Sequence, residues 1–251
     1  MKKMSATLNL LLTTLMDNIG ILGYGEVGKA VSSLYGKAIK IKDLDRDENL
    51  NNLDLVHVCI PFTEDFIDTV INFLNENKPK HCIIHSTVAP KTTEIINHKT
   101  QNSFNVCHCP VRGIHPNLLE GLLIFETYLG CDFECKALID HLSNLSLKIT
   151  RVPSVTSELA KLLDTTYYGL CIAWHGEVKK MCDQLGVDFD DVSTNYNKTY
   201  NSGYKKLGKE NVARPILYPP DKIGGHCVIP NTKILNQDFN SLAFDLILKY
   251  Q

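Results

Sequence analysis

A chain of 251 residues is long enough for one large α/β domain and a smaller second unit. Its 44% apolar and 22% charged residues are ordinary for a globular protein, and a net charge of −2 gives no electrostatic footing for nucleic acid or an anionic membrane. No apolar run approaches the roughly 20 residues that span a bilayer, and nine scattered cysteines, among them Cys59 and Cys82 inside apolar runs, suit a reducing cytoplasmic compartment better than a disulfide framework.

Residues 1–17 read as an N-terminal extension. Met1-Lys2-Lys3 and the apolar stretch to Met16 weakly imitate a signal peptide, but no small-residue cleavage site follows, so a short extra helix or an upstream start codon is the preferred reading. Residues 18–22 form a buried strand that runs into Gly23-Tyr24-Gly25-Glu26-Val27-Gly28, and residues 29–35 continue as a helix. A second strand over 38–43 ends in Asp43, and a third over 54–61 ends in Pro61. Helical spacing covers 63–75 through Phe66, Val70 and Phe73. Further strands are expected at 82–86, 105–108 and 127–130, with a Pro90 turn and a helix near 92–97 between the first two. Strands alternating with helices imply a parallel sheet covered on both faces. The cluster Cys107-His108-Cys109 with His115 matches no common zinc spacing and reads as a strand end, so no metal is expected.

The pattern changes after Pro153. Over 157–185 the residues Leu159, Leu163, Thr166, Leu170, Trp174, Val178, Met181 and Leu185 make one continuous apolar stripe, and Gly186 fits a helix C-cap. So much apolar helix surface, Trp174 included, calls for a second copy of the chain; the competing expectation is that the tail folds back over the stripe. The remainder is helix and loop, with a glycine turn at Gly224-Gly225. The expected domains are a doubly wound α/β unit over 18–155 and a smaller all-α unit over 156–251.

The glycine turn has the context that gives such a motif meaning. A strand precedes it, a helix follows it, and Asp43 ends the next strand 20 residues beyond Gly23. Gly23 permits the tight turn, Gly25 lets backbone approach a pyrophosphate, and Gly28 lets helix and strand pack closely. The helix N-terminus then faces the phosphates. Asp43 would accept hydrogen bonds from an adenosine ribose and repel a 2′-phosphate, so the expected cofactor is NAD on a Rossmann-type sheet, with Asp45 as fallback for the acid. Tyr24, Glu26 and Val27 lie within the same turn, and Pro61, Ser86 and Thr87 end neighbouring strands on the cofactor side.

Four motifs in order resemble the UDP-glucose/GDP-mannose dehydrogenase family: the glycine turn, His85-Ser86-Thr87-Val88-Ala89-Pro90, Glu158-Leu159-Ala160-Lys161-Leu162, and Gly224-Gly225-His226-Cys227. Residues 172–188, including Glu177, resemble the family's central helix, and the last motif is closest to members acting on UDP-N-acetylhexosamines. The resemblance implies oxidation of a sugar alcohol to a carboxylate with two NAD. Cys227 would be the nucleophile, Lys161 would stabilise oxyanions, and Thr87 would lie beside the nicotinamide. Arg214 would contact substrate across a homodimer. Thr165 stands where the family has Asn after the lysine, and it is placed with Gly225 on the substrate side. Independently, a cysteine after two glycines is open to a substrate, and a charged His226 would favour its thiolate. Lys161 falls off the Leu159/Leu163 stripe, on one face with Thr165 and Tyr168.

The departures are specific. Val111 stands where the family has Glu after the strand-end proline, and Asn231 where it has Asp after the cysteine. Thioester hydrolysis needs a positioned water and a base, so the second oxidation is the step these changes touch. Family members also carry a third α/β domain, and this sequence stops at Gln251 in what looks like the helix leading to it. Two alternatives follow: a two-electron dehydrogenase of a small hydroxy acid, and a catalytically inactive dinucleotide-binding protein.

Overall fold

A computed structural model describes residues 16–36 and 38–251, so the expected extension lies outside the described residues except at Met16 and Asp17. The chain forms two compact units, the first ending at Lys161 and the second running Leu162–Gln251.

The first unit opens with β1 (Ile19–Leu22), α1 (Glu26–Ser33), β2 (Lys40–Asp43), β3 (Arg46–Asp47) and β4 (Leu55–Val58). It continues with α2 (Phe66–Asn77), β5 (His81–Ile84), α3 (Thr92–Lys99), β6 (Asn105–His108), α4 (Leu118–Ile124), β7 (Glu126–Gly130), α5 (Lys136–Asn144) and β8 (Lys148–Val152). One sheet carries all eight strands in the order β3-β2-β1-β4-β5-β6-β7-β8. Central strands are apolar on both sides because both sides are covered. Ile21, Leu55, Ile83 and Cys107 pack toward α1, α4 and α5, while Val56, Val58, Cys82, Ile84 and Val106 pack toward α2 and α3. The chain order reverses at β1, between β2 and β4, so a crevice opens beyond the carboxyl ends of β1 and β4.

The sheet is parallel except at two places. The short β3 returns antiparallel to β2, and β7 runs antiparallel to β6 before β8 pairs parallel with β7. The expected doubly wound sheet is present and mostly parallel, and these two antiparallel joints are added to it. They also add β3, β8, α4 and α5, none of which the sequence pattern announced.

A row of polar side chains crosses the core beneath α1 and α5. His85 Nδ1 donates to the Cys109 carbonyl at 2.6 Å, His57 Nδ1 meets His85 Nε2 at 2.8 Å, and Tyr35 Oη lies 2.6 Å from His57 Nε2 and 3.1 Å from His141 Nε2. Burial holds His57 and His85 below the ordinary histidine range and keeps the Tyr35 phenol protonated. With neutral imidazoles every proton is then assigned: His141 donates to Tyr35, Tyr35 to His57, His57 to His85, and His85 to the carbonyl.

The second unit is helical. α6 (Ser154–Leu185) begins at the end of the first unit and is followed by a π-helical turn at Asp190–Asn195, then by α7 (Tyr196–Lys206), α8 (Val228–Asp238) and α9 (Leu242–Leu248). α6 ends as its glycine predicts: Gly186 has φ +67°, Val187 N–H reaches Cys182 O at 3.0 Å, and Gly186 N–H reaches Asp183 O at 3.3 Å. The tail packs on small residues of α6. A Cβ on Gly169 would lie 2.3 Å from Val228, and one on Gly176 would lie 2.5 Å from the Tyr250 ring. Ala173, Ile223, Val228, Ile247 and Tyr250 form the core of this unit. Glu177 fixes the chain end by accepting from Tyr250 Oη at 2.6 Å and from Lys249 Nζ at 3.0 Å.

The tail therefore covers the face of Gly169, Ala173 and Gly176 and leaves part of the expected stripe open. Trp174 is 53% exposed and Leu185 77%, with Leu163, Tyr167 and Met181 also exposed. The stripe is not open along its whole length: Leu159, Leu170 and Val178 are half-buried, Leu170 against the core of this unit, and Thr166 departs furthest. It is buried, and its hydroxyl donates to Leu162 O at 3.0 Å.

Candidate functional site

The glycine turn leaves the carboxyl end of β1 and opens α1. Its three glycines answer to different demands. At Gly23, φ is +93° and a Cβ would lie 2.8 Å from the Cys59 backbone; at Gly28 a Cβ would lie 2.1 Å from Gly23 O. Both are required by the protein's own packing. At Gly25 a Cβ would meet nothing within 4 Å, so no contact within the chain asks for glycine there. Glycine there leaves the space beside the helix N-terminus open, and the N–H groups at the start of α1 suit an anion. Asp43 stands beside the turn, its carboxylate accepting Tyr24 N–H and Leu44 N–H at 2.7 Å each. Asp45 lies in the exposed turn that follows. Arg46, which sequence reasoning passed over, stacks its guanidinium 4.7 Å from the Tyr24 ring centroid. The Glu26 carboxylate, on the other side, pairs with His115 Nδ1. This donor set fits a dinucleotide: an open glycine at a helix N-terminus and a carboxylate at the end of the next strand, beside the turn.

At the neighbouring strand ends, Pro61 is exposed, Thr87 half-buried, and Ser86 buried with its hydroxyl donating to Ile60 O at 2.6 Å. The Ser86 carbonyl accepts from His108 Nε2 at 3.1 Å, and His108 Nδ1 meets Ser157 Oγ on α6 at 2.8 Å. Burial pushes His108 down to about 3, with the nearby Lys161 charge adding to the effect. The imidazole is therefore a neutral strut between the cofactor-side strand and the helix that carries Lys161. A second tie runs one residue on. Glu158, fully buried, accepts Lys91 N–H at 2.6 Å, Thr93 N–H at 2.8 Å and Thr93 Oγ1 at 2.6 Å, so its carboxylate caps the N-terminus of α3. Desolvation raises its pKa against the pull of these bonds. Lys161 lies one turn beyond Glu158, near enough to His108 at the end of β6 for its charge to act there. In the sequence Glu158 stands in a motif with no role of its own and His108 reads as a strand-end residue, because contacts across 49 to 67 residues leave no local signal. Val111 is buried beside this strand end and offers no base.

In the second unit Cys227 is half-buried at the N-cap of α8, directly after the turn in which Gly225 has φ +83°. A Cβ on Gly224 or Gly225 would meet nothing within 4 Å, so the approach to this turn is open. Asn231 is buried one turn along α8. Thr165 is half-buried on α6, and Tyr168 is exposed. Arg214 is held by two backbone bonds to the Asn201 amide, and its guanidinium stacks 3.7 Å from the Tyr200 ring centroid. It lines a cavity of about 540 Å³ with Cys171, Trp174, His175 and Asn197, and Cys227 is not among the lining residues. Among the described residues no group of His, Cys, Asp and Glu side chains is placed to hold a metal ion.

Comparison with known proteins agrees with this architecture. A UDP-N-acetyl-D-mannosamine dehydrogenase of Methanococcus vannielii is 24% identical over 226 residues, which are 82% of this chain and 50% of that protein. The chain thus spans about half the length of the curated relatives it matches. Among solved structures, the UDP-D-ManNAc dehydrogenase of Pyrococcus horikoshii superposes with a TM-score of 0.72 at 20% identity, covering 92% of this chain and 68% of that one. Psf3 in complex with NADP+ and 2-OPP superposes with a TM-score of 0.61 at 15% identity, covering 92% of both chains. Residues 155–249 match the model of the UDP-glucose/GDP-mannose dehydrogenase family, central domain.

Proposed function

We propose that this chain is an NAD-dependent oxidoreductase of the nucleotide-sugar dehydrogenase type, oxidising a sugar CH–OH through a thiohemiacetal and thioester on Cys227. The observation that carries the cofactor is Gly25, a glycine that nothing in the chain requires, beside an α-helix N-terminus and Asp43. The names of the relatives and the Gly224-Gly225-His226-Cys227 motif support a nucleotide sugar as substrate.

Each residue has a task. Gly23, Gly25 and Gly28 let the turn of Tyr24, Glu26 and Val27 close on a pyrophosphate, Asp43 holds the adenosine ribose, and Pro61, Ser86 and Thr87 border the nicotinamide. NAD held by these residues would supply the hydride acceptor, one NAD for each of the two oxidations. The Lys161 ammonium stabilises the alkoxide and the later oxyanions. The Cys227 sulfur adds to the aldehyde carbon while the carbonyl oxygen takes a proton, a second hydride leaves, and water cleaves the thioester to acid and free thiol. Arg214, Thr165 and Gly225 are assigned to the substrate.

The experiment is NADH formation with a panel of UDP-N-acetylhexosamines, repeated with Cys227→Ser. That variant is expected to bind NAD and yield no net acid. A second reading, two-electron oxidation of a smaller hydroxy acid, draws on Val111 and Asn231 in place of the family's acids, and on the near-complete mutual coverage with the two-ligand Psf3 structure. In that case Cys227→Ser keeps most of its turnover. The exposed stripe of Leu163, Tyr167, Trp174, Met181 and Leu185 supports a homodimer, and nine free cysteines support a cytoplasmic location.

A further inference from the structure

The antiparallel junction between β6 and β7 brings thiols together. His108 pairs with Gly130 across it, and one step further along the same register Cys107 faces Cys131. Their sulfurs are 2.8 Å apart. Directly opposed residues of an antiparallel pair have Cα atoms about 4.5–5.5 Å apart, inside the span of about 4.4–6.8 Å that a disulfide bridges. Cys135, at the N-cap of α5, is within hydrogen-bond reach of Cys131. The sulfurs lie in the core cluster under α1 and α5, but the short turn over residues 131–135 that carries two of them has exposed Asp132 and Glu134. Among the described residues no metal-holding group is formed here, so the thiols have one another as partners.

We propose that Cys107 and Cys131 are a redox pair, which a small peroxide converts into a cross-strand disulfide stapling β6 to β7. Cys131 is the attacking sulfur. Bonds from Cys107 and Cys135 and the charge of Arg151 hold its thiol below the ordinary cysteine range, whereas burial pushes Cys107 up and Cys135 up to about 12. The Cys131 thiolate attacks one oxygen of hydrogen peroxide, giving a sulfenic acid and hydroxide. The Cys107 sulfur then attacks the Cys131 sulfur and hydroxide leaves as water once protonated. In sum, two thiols and one peroxide become one disulfide and two waters. The pair is separate from Cys227, so its chemistry does not depend on the proposed oxidation of a sugar.

The test uses the full chain, reduced and freed of reductant, then treated briefly with hydrogen peroxide, denatured, alkylated and peptide-mapped. One linked pair containing Cys107 and Cys131 is expected, two hydrogens lighter than the separate peptides and cleaved by dithiothreitol. It should persist in Cys135→Ser and vanish in Cys131→Ser. Because a core substitution can impair folding, a second measurement is made on Cys107→Ala with dimedone present, where Cys131 should be the trapped sulfenic acid. Cys107 and Cys131 both alkylated while other thiols oxidise, a Cys131–Cys135 link in place of the expected one, or no dimedone adduct at Cys131 would each overturn the proposal.

Discussion

Acidification is the perturbation that the first unit should resist least. His57, His85 and His108 are all buried in it and all held below their ordinary value, His85 at about 4 and His108 at about 3, chiefly by desolvation. The unfolded chain binds protons at these residues as pH falls through about 6.5, while the native state does not until pH approaches the lowered values. Stability is therefore fully present above about 6.5 and lost progressively below it, at about 1.4 kcal/mol per pH unit for each histidine. His85 and His108 together cost about 3 kcal/mol per unit, or about 4 kcal/mol between pH 6.5 and 5, a large part of the stability of a typical domain, and His57 acts in the same direction. Glu158, whose pKa is raised, opposes this as one group against three. The assay is hydrogen exchange of the β4, β5 and β6 amides with urea unfolding at pH 5 to 7.5. His108→Gln keeps a donor for Ser86 O and an acceptor for Ser157, so it should reduce the slope by about one third. A stability independent of pH across that range would refute the assignment of these histidines as neutral and buried.

Four further outcomes are expected. Gly25→Val should abolish dinucleotide binding in calorimetry while leaving the melting temperature nearly unchanged, whereas Gly28→Ala should destabilise by more than about 2 kcal/mol because its Cβ meets Gly23 O. Asp43→Ala should bring the affinities for NAD and NADP together, by roughly tenfold or about 1.4 kcal/mol, and an unchanged ratio would remove Asp43 from the ribose. If the proposed homodimer forms on the exposed residues of α6, Trp174→Glu should sediment as a monomer where the unmodified chain sediments as a dimer, since it places a charge among them. Brief iodoacetamide treatment should label Cys227 before Cys59, Cys82 and Cys109, whose thiols burial pushes up, Cys109 to about 12.

Much of the first unit was legible because its signals are local. The buried strand before Gly23, the acid at Asp43 and the apolar runs around Val56, Ile83 and Val106 each lie within a few residues of what they specify. The last strand and the direction of β7 were not. β8 mixes Lys148, Thr150 and Arg151 with half-buried Ile149 and Val152, as a lightly covered edge strand will, so its alternation is weak. The direction of β7 depends on the connection through α4, which no local pattern encodes. α6 was legible as a helix from its stripe, but its buried face is made of Gly169, Ala173 and Gly176, residues that a hydrophobicity pattern ignores and close packing selects. In the candidate site, motif residues were readable, while the ties from Glu158 to α3 and from His108 to Ser157 exist only in three dimensions.

The polar row that ends on the Cys109 carbonyl has a consequence for how this core can change. A carbonyl cannot donate, so it dictates the tautomer of His85, which dictates that of His57, which orients the Tyr35 hydroxyl, which requires a proton on His141. Positions 35, 57, 85 and 141 therefore behave as one word with a reading direction. A replacement at an inner position is admissible only if it accepts from one neighbour and donates to the next. Removing the sense of any single letter forces the others to be rewritten together, or the row to be replaced as a block by apolar side chains of matching volume.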